Sequence, residues 1–486
     1  MTPILSIDFG NSYTKVALRP GREERAEAIK DASLQPFDET NLCIPTLAAE
    51  YTLNGQTTWL FGTDATRFAE GTTGLFVHRN WKPHFFEKGT VGTPKPVPGA
   101  VRARVGAPPG ITYAAWAVMQ QSLPQAQLDQ IWTSLDNSAP AEEGDEEEQE
   151  ITEPELKVIA LGFFNWLREF VDPVCVKRIG RRASDIPVRI SLPSFGNMAK
   201  AELLLREILV DAGWQLDETA PVLPEPLSNA LGTFTEGANA TRQNGTHPDY
   251  GTMFGYTGLL QKMKDAILGR GSKVAWALIV DVGGYTTDFA MVGIDLQDID
   301  ARLEGETDGK KRLSHLSKPL GVSALDRRLL AVLPEAKQKA LEEVLADQQR
   351  FEAFHRVCYG KTHRYTLKST TIGDTQAEKK VVGDVVQKFA EDTADAVETF
   401  LEVHQYEEID DLILTGGGTL VPKVRDALCA RLSKYAPRGL KVHTHFADGE
   451  TIPGAKQPHK LPLELVRGAT EVGGASVYFE IGRAHV

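Results

Sequence analysis

The stretch that most constrains this chain is Lys273–Val292, KVAWALIVDVGGYTTDFAMV. Apolar residues from Val274 to Val280 read as a buried strand, since such runs occur in sheets covered on both faces. At its end stand Asp281, Gly283-Gly284, Tyr285, Thr286-Thr287 and Asp288. Phe289 to Val292 then resume a strand, so the turn reads as a hairpin. Two glycines let backbone N–H groups converge on an anion, while nearby hydroxyls and carboxylates can hold a hydrated metal ion.

A second copy of the pattern opens the chain. Ile4–Leu18, ILSIDFGNSYTKVAL, repeats the order of short apolar strand, Asp8, Gly10, then Asn11, Ser12, Tyr13 and Thr14, then a strand. Two such hairpins a domain's length apart suggest a duplicated fold gripping one ligand. A third glycine turn, Thr415-Gly416-Gly417-Gly418-Thr419, follows the apolar strand Leu412–Leu414. It leads through Val421 to Pro422, a residue suited to the first turn of a helix over Lys423–Lys434.

A length of 486 residues corresponds to about three domains, and 42% hydrophobic residues allow an ample core. The net charge of −13 argues against a nucleic acid or an anionic membrane as the main partner. Cys43, Cys175, Cys358 and Cys429 are scattered without metal spacing and read as reduced core thiols. The N-terminus runs straight into a strand, no secretory signal is visible, and no stretch approaches a membrane-spanning length. The expectation is a soluble, acidic, cytoplasmic protein.

Between the motifs, Ile44–Thr46 and Trp59–Gly62 bracket a strand pair followed by a short helix through Phe68. Residues Glu87–Pro109 read as an irregular excursion, and Ile111–Leu135 as mostly helical. The acidic run Glu142–Glu148 lacks the alternating ligands of a calcium loop and reads as a solvated loop. Thr152 and Pro154 start a long helix expected to run through Phe170. Glu236–Gly271 is a polar insertion with a helical segment around Leu259–Leu268, and Gly269–Lys273 lacks the glycine span of a P-loop. Leu320–Glu402 is largely helical, with a strand pair expected near Arg364–Thr370 and Lys379–Val382. Asp8-Phe9-Gly10 has no kinase catalytic loop upstream, and His443-x-His445 reads as an ordinary strand face.

Taken together, the three turns resemble those of the sugar-kinase, heat-shock-chaperone and actin superfamily of ATPases, and its DnaK-like chaperone ATPases most closely. The two Asp-bearing hairpins look like the phosphate loops, and Gly416–Gly418 like the adenosine loop. Leu192-Pro193 with its following helix, the Glu-Pro segment Pro224–Ala230, Leu320–Asp326 and Arg467-Gly468-Ala469 resemble further family segments. The resemblance implies an α/β fold of two lobes, each a ribonuclease-H-like mixed sheet flanked by helices. Lobe I would comprise 1–236, with 41–149 as its outer subdomain, completed by 462–486. Lobe II would run over 237–461, with 319–385 as its outer subdomain.

That resemblance also implies ATP/ADP and Mg²⁺ as ligands. Asp8 and Asp281 would hold Mg²⁺ through its waters, and Asp288 would either order the metal's shell or tie the hairpin. Gly10, Asn11, Ser12 and Tyr13, with Gly283, Gly284, Tyr285, Thr286 and Thr287, would cradle the phosphates. Glu225 and Asp281 would orient the attacking water, with Thr286 fixing it near the γ-phosphate. Lys82 is the candidate to reach the transferred phosphate, with Arg79 second. Lys15 stands where actin-type members carry a phosphate-contacting lysine, or else is a solvent-facing strand residue. Gly416, Gly417 and Gly418 would border the adenosine, with Arg356 or Lys361 against it. Leu420 stands where the family often has a stacking arginine.

On this resemblance the protein is an ATPase whose lobe closure controls a protein client or regulatory partner. It is expected to lack a peptide-binding domain, because Val486 follows so soon after the hinge helix. The alternative is an actin-like, filament-forming ATPase of the ParM type, which would self-associate. A small-molecule kinase of the same superfamily would need an acidic base beside a sugar pocket, and none stands out.

Overall fold

A computed structural model describes residues 3–21, 24, 26–34, 39–53, 56–69, 75–86, 100–103, 153–195, 199–234, 274–295, 306–307, 310–311, 313–346, 348–447 and 450–475. The expectations for Ile111–Leu135, the acidic run Glu142–Glu148, Leu259–Leu268 and Gly269–Lys273 lie outside them, as does the Lys361 side chain.

The protein is mixed α/β and is built on two mixed sheets. In the first, β1 (Ile4–Phe9) folds back antiparallel into β2 (Tyr13–Arg19), and β3 (Glu27–Ala28) and β4 (Ile44–Pro45) pair with β2. The strands β5 (Ala48–Leu53), β6 (Gln56–Phe61), β7 (Leu75–His78) and β8 (Ala100–Ala103) make a separate four-stranded sheet, with α1 (Gly62–Ala69) after β6. Helix α2 (Glu153–Ile179) leads to β9 (Pro187–Leu192), which lies parallel to β1. Then follow α3 (Ala199–Asp211), β10 (Gln215–Leu216) and β11 (Val222–Pro224), both parallel to β9, and α4 (Glu225–Phe234).

The second sheet repeats the plan. β12 (Val274–Val282) and β13 (Thr287–Asp295) form the hairpin. After a small pair, β14 (Glu306–Thr307) and β15 (Lys310–Lys311), β16 (Leu313–Lys318) joins β13 antiparallel. Helices α5 (Val322–Val332), α6 (Glu335–Ala346) and α7 (Gln348–Phe354) precede the small hairpin β17 (Tyr365–Leu367) and β18 (Thr370–Ile372). The chain ends its described part with α8 (Gln376–Val403), β19 (Asp411–Thr415), α9 (Pro422–Leu432), β20 (Leu440–Thr444), β21 (Ala455–Lys460) and α10 (Leu463–Gly474). The strand orders β3-β2-β1-β9-β10 and β16-β13-β12-β19-β20 are the same sequence of third, second, first, fourth and fifth strand. The similarity of the two hairpins in sequence is thus a similarity of topology. Among the described residues no helix is long and apolar enough to cross a membrane, and none of the four cysteines forms a disulfide.

Strand alternation fixes where the aspartates point. Leu5, Ile7 and Phe9 of β1 join Phe163, Phe164 and Leu167 of α2 in one core. Ile4, Ser6 and Asp8 therefore share the opposite face, where Ile4 meets Leu465, Ala469 and Val472 of α10. In β12, Leu278, Val280 and Val282 pack under α8 and α9, and Ala275, Ala277 and Ile279 join the same central cluster as Ile4. Asp281 follows that second face, so both carboxylates project toward the space between the sheets.

Three elements depart from expectation. Strand β8 lies inside the stretch Glu87–Pro109 read as irregular, paired antiparallel with β7. Helix α2 does not stop near Phe170 but continues through Pro173 to Ile179. Val171 and Cys175 carry its buried stripe onward, and their burial offsets an interior proline that costs about 3 kcal/mol. Lys379–Val382, expected as a strand, belongs to α8. Thr375 Oγ1 accepts from Glu378 N at 3.2 Å and the Glu378 carboxylate accepts from Asp374 N at 2.9 Å, an N-terminal capping arrangement that starts the helix upstream. The strand partner of Tyr365–Leu367 is instead Thr370–Ile372, across a tight turn at Lys368 with φ 51°.

Helices α4 and α10 cross at glycines. A Cβ on Gly473 would lie 1.8 Å from Ser228 O and one on Gly232 1.8 Å from Ala469 O. Gly473→Val should therefore force the helices apart and cost roughly 2 kcal/mol or more, read as a lower midpoint in urea unfolding.

Candidate functional site

The two aspartate turns meet. A Cβ on Gly284 would stand 3.0 Å from Ser12 Oγ and 3.7 Å from Asn11 Cβ. The third turn closes on the second, for a Cβ on Gly416 would lie 2.1 Å from Asp281 Oδ1, and Gly416 also needs its φ of +81°. Gly417, by contrast, faces open space. The three turns border a cavity of about 890 Å³ that also takes in Lys15, Lys82 and Glu225. That volume suits a ligand of drug or cofactor size.

Helix α5 sets the second turn. Gly321 N, Val322 N and Ser323 N donate to Tyr285 O, Gly283 O and Gly284 O at 2.8, 3.0 and 2.8 Å. A trans peptide points its C=O and N–H in opposite directions, so the amides of Gly284, Tyr285 and Thr286 face away from that helix. The Gly283 amide is otherwise engaged, donating to Thr286 O at 2.8 Å, and the Gly10 amide turns back to Asp8 O at 3.1 Å. These two glycines shape their turns rather than offer donors.

Around the turns, the charged groups interlock. Lys82 Nζ donates to Glu225 Oε1 at 2.5 Å, and both side chains are buried. Glu225 opens α4, and Asn229, one turn later on the same face, donates from Nδ2 to Asp281 Oδ2 at 2.6 Å and to Thr470 Oγ1 at 3.1 Å. Thr415 Oγ1 donates to Asn229 Oδ1 at 3.1 Å. Lys15 is no solvent-facing strand residue: paired with Asp8 across the hairpin, it donates from Nζ to Asp8 Oδ2 at 2.6 Å. Asp288 accepts from Thr286 Oγ1 at 2.9 Å and from Ser317 Oγ, so hydroxyls hold both its oxygens. Asn11 donates from Nδ2 to Asn80 Oδ1 at 2.7 Å, while its own buried Oδ1 has no hydrogen-bond partner among the described residues.

Of the residues singled out from sequence, Asp8, Gly10, Asn11, Ser12, Tyr13, Lys15, Lys82, Glu225, Asp281, Gly283, Gly284, Thr286, Asp288 and Gly416–Gly418 line the cavity, as do Arg79 and Arg356. Two are used differently. Thr287 is fully buried and donates to Leu320 O at 2.6 Å, because alternation along β13 turns it away from Thr286 and Asp288. Tyr285 borders the cavity, but its ring packs between Phe86 and Phe195 in the core of the first sheet. Its ring serves as an anchor across the cleft, while the residue itself still lines the cavity. Sequence reading gave no role to Asn229, Thr415, Thr470, Ser317 or Glu471. Asn229 alone had a readable signal, its spacing of four from Glu225 on one helix face.

Burial dominates the electrostatics. It pushes Asp281 up to about 7, reinforced by the charges of Asp288 and Asp8. Asp288 rises to about 6, again by burial and despite its hydroxyl partners. Glu225 is raised well above the usual range by burial, although Lys82 opposes the shift. Burial works against Lys15, but Asp8 and then Glu471 hold its ammonium above the ordinary lysine value. Among the described residues no three His, Cys, Asp or Glu side chains converge to bind a bare metal ion. The acidic groups suit instead a cation that keeps its waters, as Mg²⁺ does.

These shifts give a signed prediction. Asp281 keeps its proton to about pH 7 in the folded protein, whereas an ordinary aspartate releases it near 3.8. Between those values the folded state binds more protons than the unfolded chain, so stability falls as pH rises. The melting temperature of the ligand-free protein should drop from pH 5 to pH 8, and Asp281→Asn should flatten that slope. No protein-family model and no curated protein matches this chain.

Proposed function

We propose that this chain binds and hydrolyses Mg-ATP as a DnaK-like ATPase of the actin-type two-lobe fold. Lobe I would hold 1–236 and 462–486, and lobe II 237–461. The observation that carries the reading is the meeting of Asp8 and Asp281, the carboxylates at matching positions of two topologically equivalent hairpins, with a third glycine turn pressed against Asp281. In phosphoryl transfer the protein contributes positioning and charge neutralisation.

The amides of Gly284, Tyr285 and Thr286, with the side chains of Asn11 and Ser12, would bind phosphate oxygens. Lys82, held in place by Glu225, would bring a fixed positive charge to the transferred phosphoryl group. Thr286 spends its proton on Asp288, which leaves its oxygen to accept from a water. Asp281, oriented by Asn229, and Glu225 would hold that water for attack. Mg²⁺, when bound, neutralises charge on the phosphates, and Asp8 and Asp281 would hold it through its waters. Gly417, with nothing near its Cβ position, leaves the wall open where the nucleoside end would lie.

Hydrolysis would change contacts between the lobes and so bias closure, the output that a client or regulatory protein would read in the cytoplasm. Two contacts between residues of the proposed lobes support this reading: Tyr13 packs on Phe351 with ring centroids 5.8 Å apart, and Arg467 Nη2 donates to Glu352 Oε2 at 3.5 Å. The second reading is an actin-like filament, favoured by the position of Lys15 at the phosphate turn. Sedimentation with and without ATP separates the two, since a filament pellets only with nucleotide.

Asp281→Asn should abolish phosphate release from ATP while leaving nucleotide binding measurable, and unchanged turnover would refute the assignment. Lys82→Met should slow release by roughly 10²-fold or more, the scale expected for one lost stabilising donor.

A further inference from the structure

Asn229 holds more than Asp281. Its amide is used in full: Nδ2 donates to Asp281 Oδ2 at 2.6 Å and to Thr470 Oγ1 at 3.1 Å, and Oδ1 accepts from Thr415 Oγ1 at 3.1 Å. Asn229, Thr415 and Thr470 are all buried, so any one of these bonds, once lost, strands a polar group away from water.

Three elements supply those partners. Asp281 and Thr415 are register partners on the parallel strands β12 and β19, so their side chains share a face. Helix α4 packs on β12, and one amide from it presents a donor to the acid and an acceptor to the hydroxyl. Thr470 comes from α10. Asn229 lies three residues before Gly232, and Thr470 three before Gly473. Their bond therefore sits one turn from the crossing of the two helices, where no Cβ fits.

Helix α10 reaches Asp281 by a second route. Val466 O, one turn before Thr470, accepts from Gly416 N at 2.9 Å. Gly416 is the residue that abuts Asp281 Oδ1. One helix thus bears on both oxygens of the acid, through Thr470 and Asn229 on one side and through the third glycine turn on the other.

We propose that Asn229 is a positioning residue through which the seat of α10 sets the aim of Asp281, so that hydrolysis and the hinge depend on each other. With α10 seated as it is here, three fixed partners allow the planar amide one orientation, and Asp281 is held for the attacking water. When α10 turns, Thr470 withdraws, the amide is free to rotate, and the acid loses its fixed donor. The link to hydrolysis rests on the Mg-ATP reading, whereas the bonded unit of Asn229, Thr415 and Thr470 does not.

Measurements on the full chain keep these apart. In ligand-free protein, Thr470→Val should lower the melting temperature, because it strands an amide hydrogen. In the Asn229→Leu background the same change should cost nothing or stabilise, and additive losses would overturn the unit. In phosphate release from ATP, Thr470→Val and Asn229→Leu should each lower kcat roughly tenfold or more while KM shifts less than about threefold, the signature of lost aim. Thr470→Ser keeps the hydroxyl and should recover most of the rate. Equal losses with Ser and Val, or a change in KM alone, would overturn the positioning role. Hydrogen exchange over Leu463–Gly474 reads the coupling from the hinge side. ADP with Mg²⁺ should slow exchange in the wild-type chain and leave it unchanged in Asn229→Leu, with binding to both confirmed by calorimetry. The same response in both chains would overturn the link to the hinge. Non-additive stability in a wild-type chain that binds no ADP would uphold the unit and reject its use in hydrolysis. Should Asn229→Leu fail to fold, Asn229→Ala replaces it with the same expected directions.

Discussion

Four carboxylates and two ammonium groups share one cleft with little of their surface exposed, and the rest of the structure is arranged around that cluster. Asp8, Glu225, Asp281 and Asp288 stand against Lys15 and Lys82. Removing charge from water is costly, and the excess of acid shows in carboxyl groups that hold protons toward neutrality. Two lysine pairs and a set of amide and hydroxyl donors make the cluster tolerable. An acid excess fixed by backbone on both sides is also the arrangement that a cation relieves.

Holding that cluster together requires the two sheets to come close, and small residues make the approach possible. Ala275, Ala277 and Ala290 of the second sheet, Ala17 of the first and Ala469 of α10 share one central core. At the crossing of α4 and α10 the contacts leave no room for a Cβ on Gly232 or Gly473. The same two helices carry Glu225, Asn229, Thr470 and Glu471. Packing and chemistry therefore use one pair of helices, and a change in their crossing would move the cluster directly. Tyr285 adds a second tie, rooting the turn of one sheet in the aromatic core of the other.

Much of the site was legible along the chain because its key residues are local. Each aspartate sits at the end of an apolar strand and each glycine turn follows at once, so period-two alternation and turn chemistry place them together. Lys82 was reachable by resemblance alone, and its partner Glu225 lies 143 residues away. Thr287 was misplaced because Thr286-Thr287 offers two adjacent hydroxyls, and only strand register decides which one faces the cavity. The strand expected at Lys379–Val382 failed for a different reason. Its local apolar pattern fits a strand, but the cap at Thr375 and the stripe Val382, Val386, Phe389 commit it to a helix.

The sequence by itself determined the elements whose information is local: the paired strand-turn-strand units, the third glycine turn, the helix opened by Pro422 and the acidic, cysteine-poor character of the chain. Tertiary structure alone decided which charges meet. The Asn229 bridge to Asp281, the Ser317 bond to Asp288 and the pairing of Lys82 with Glu225 each join residues tens to hundreds of positions apart. No local propensity encodes such pairs, because they exist only once both sheets and the last helix have closed on one another. The desolvation that sets their protonation arises at that same step.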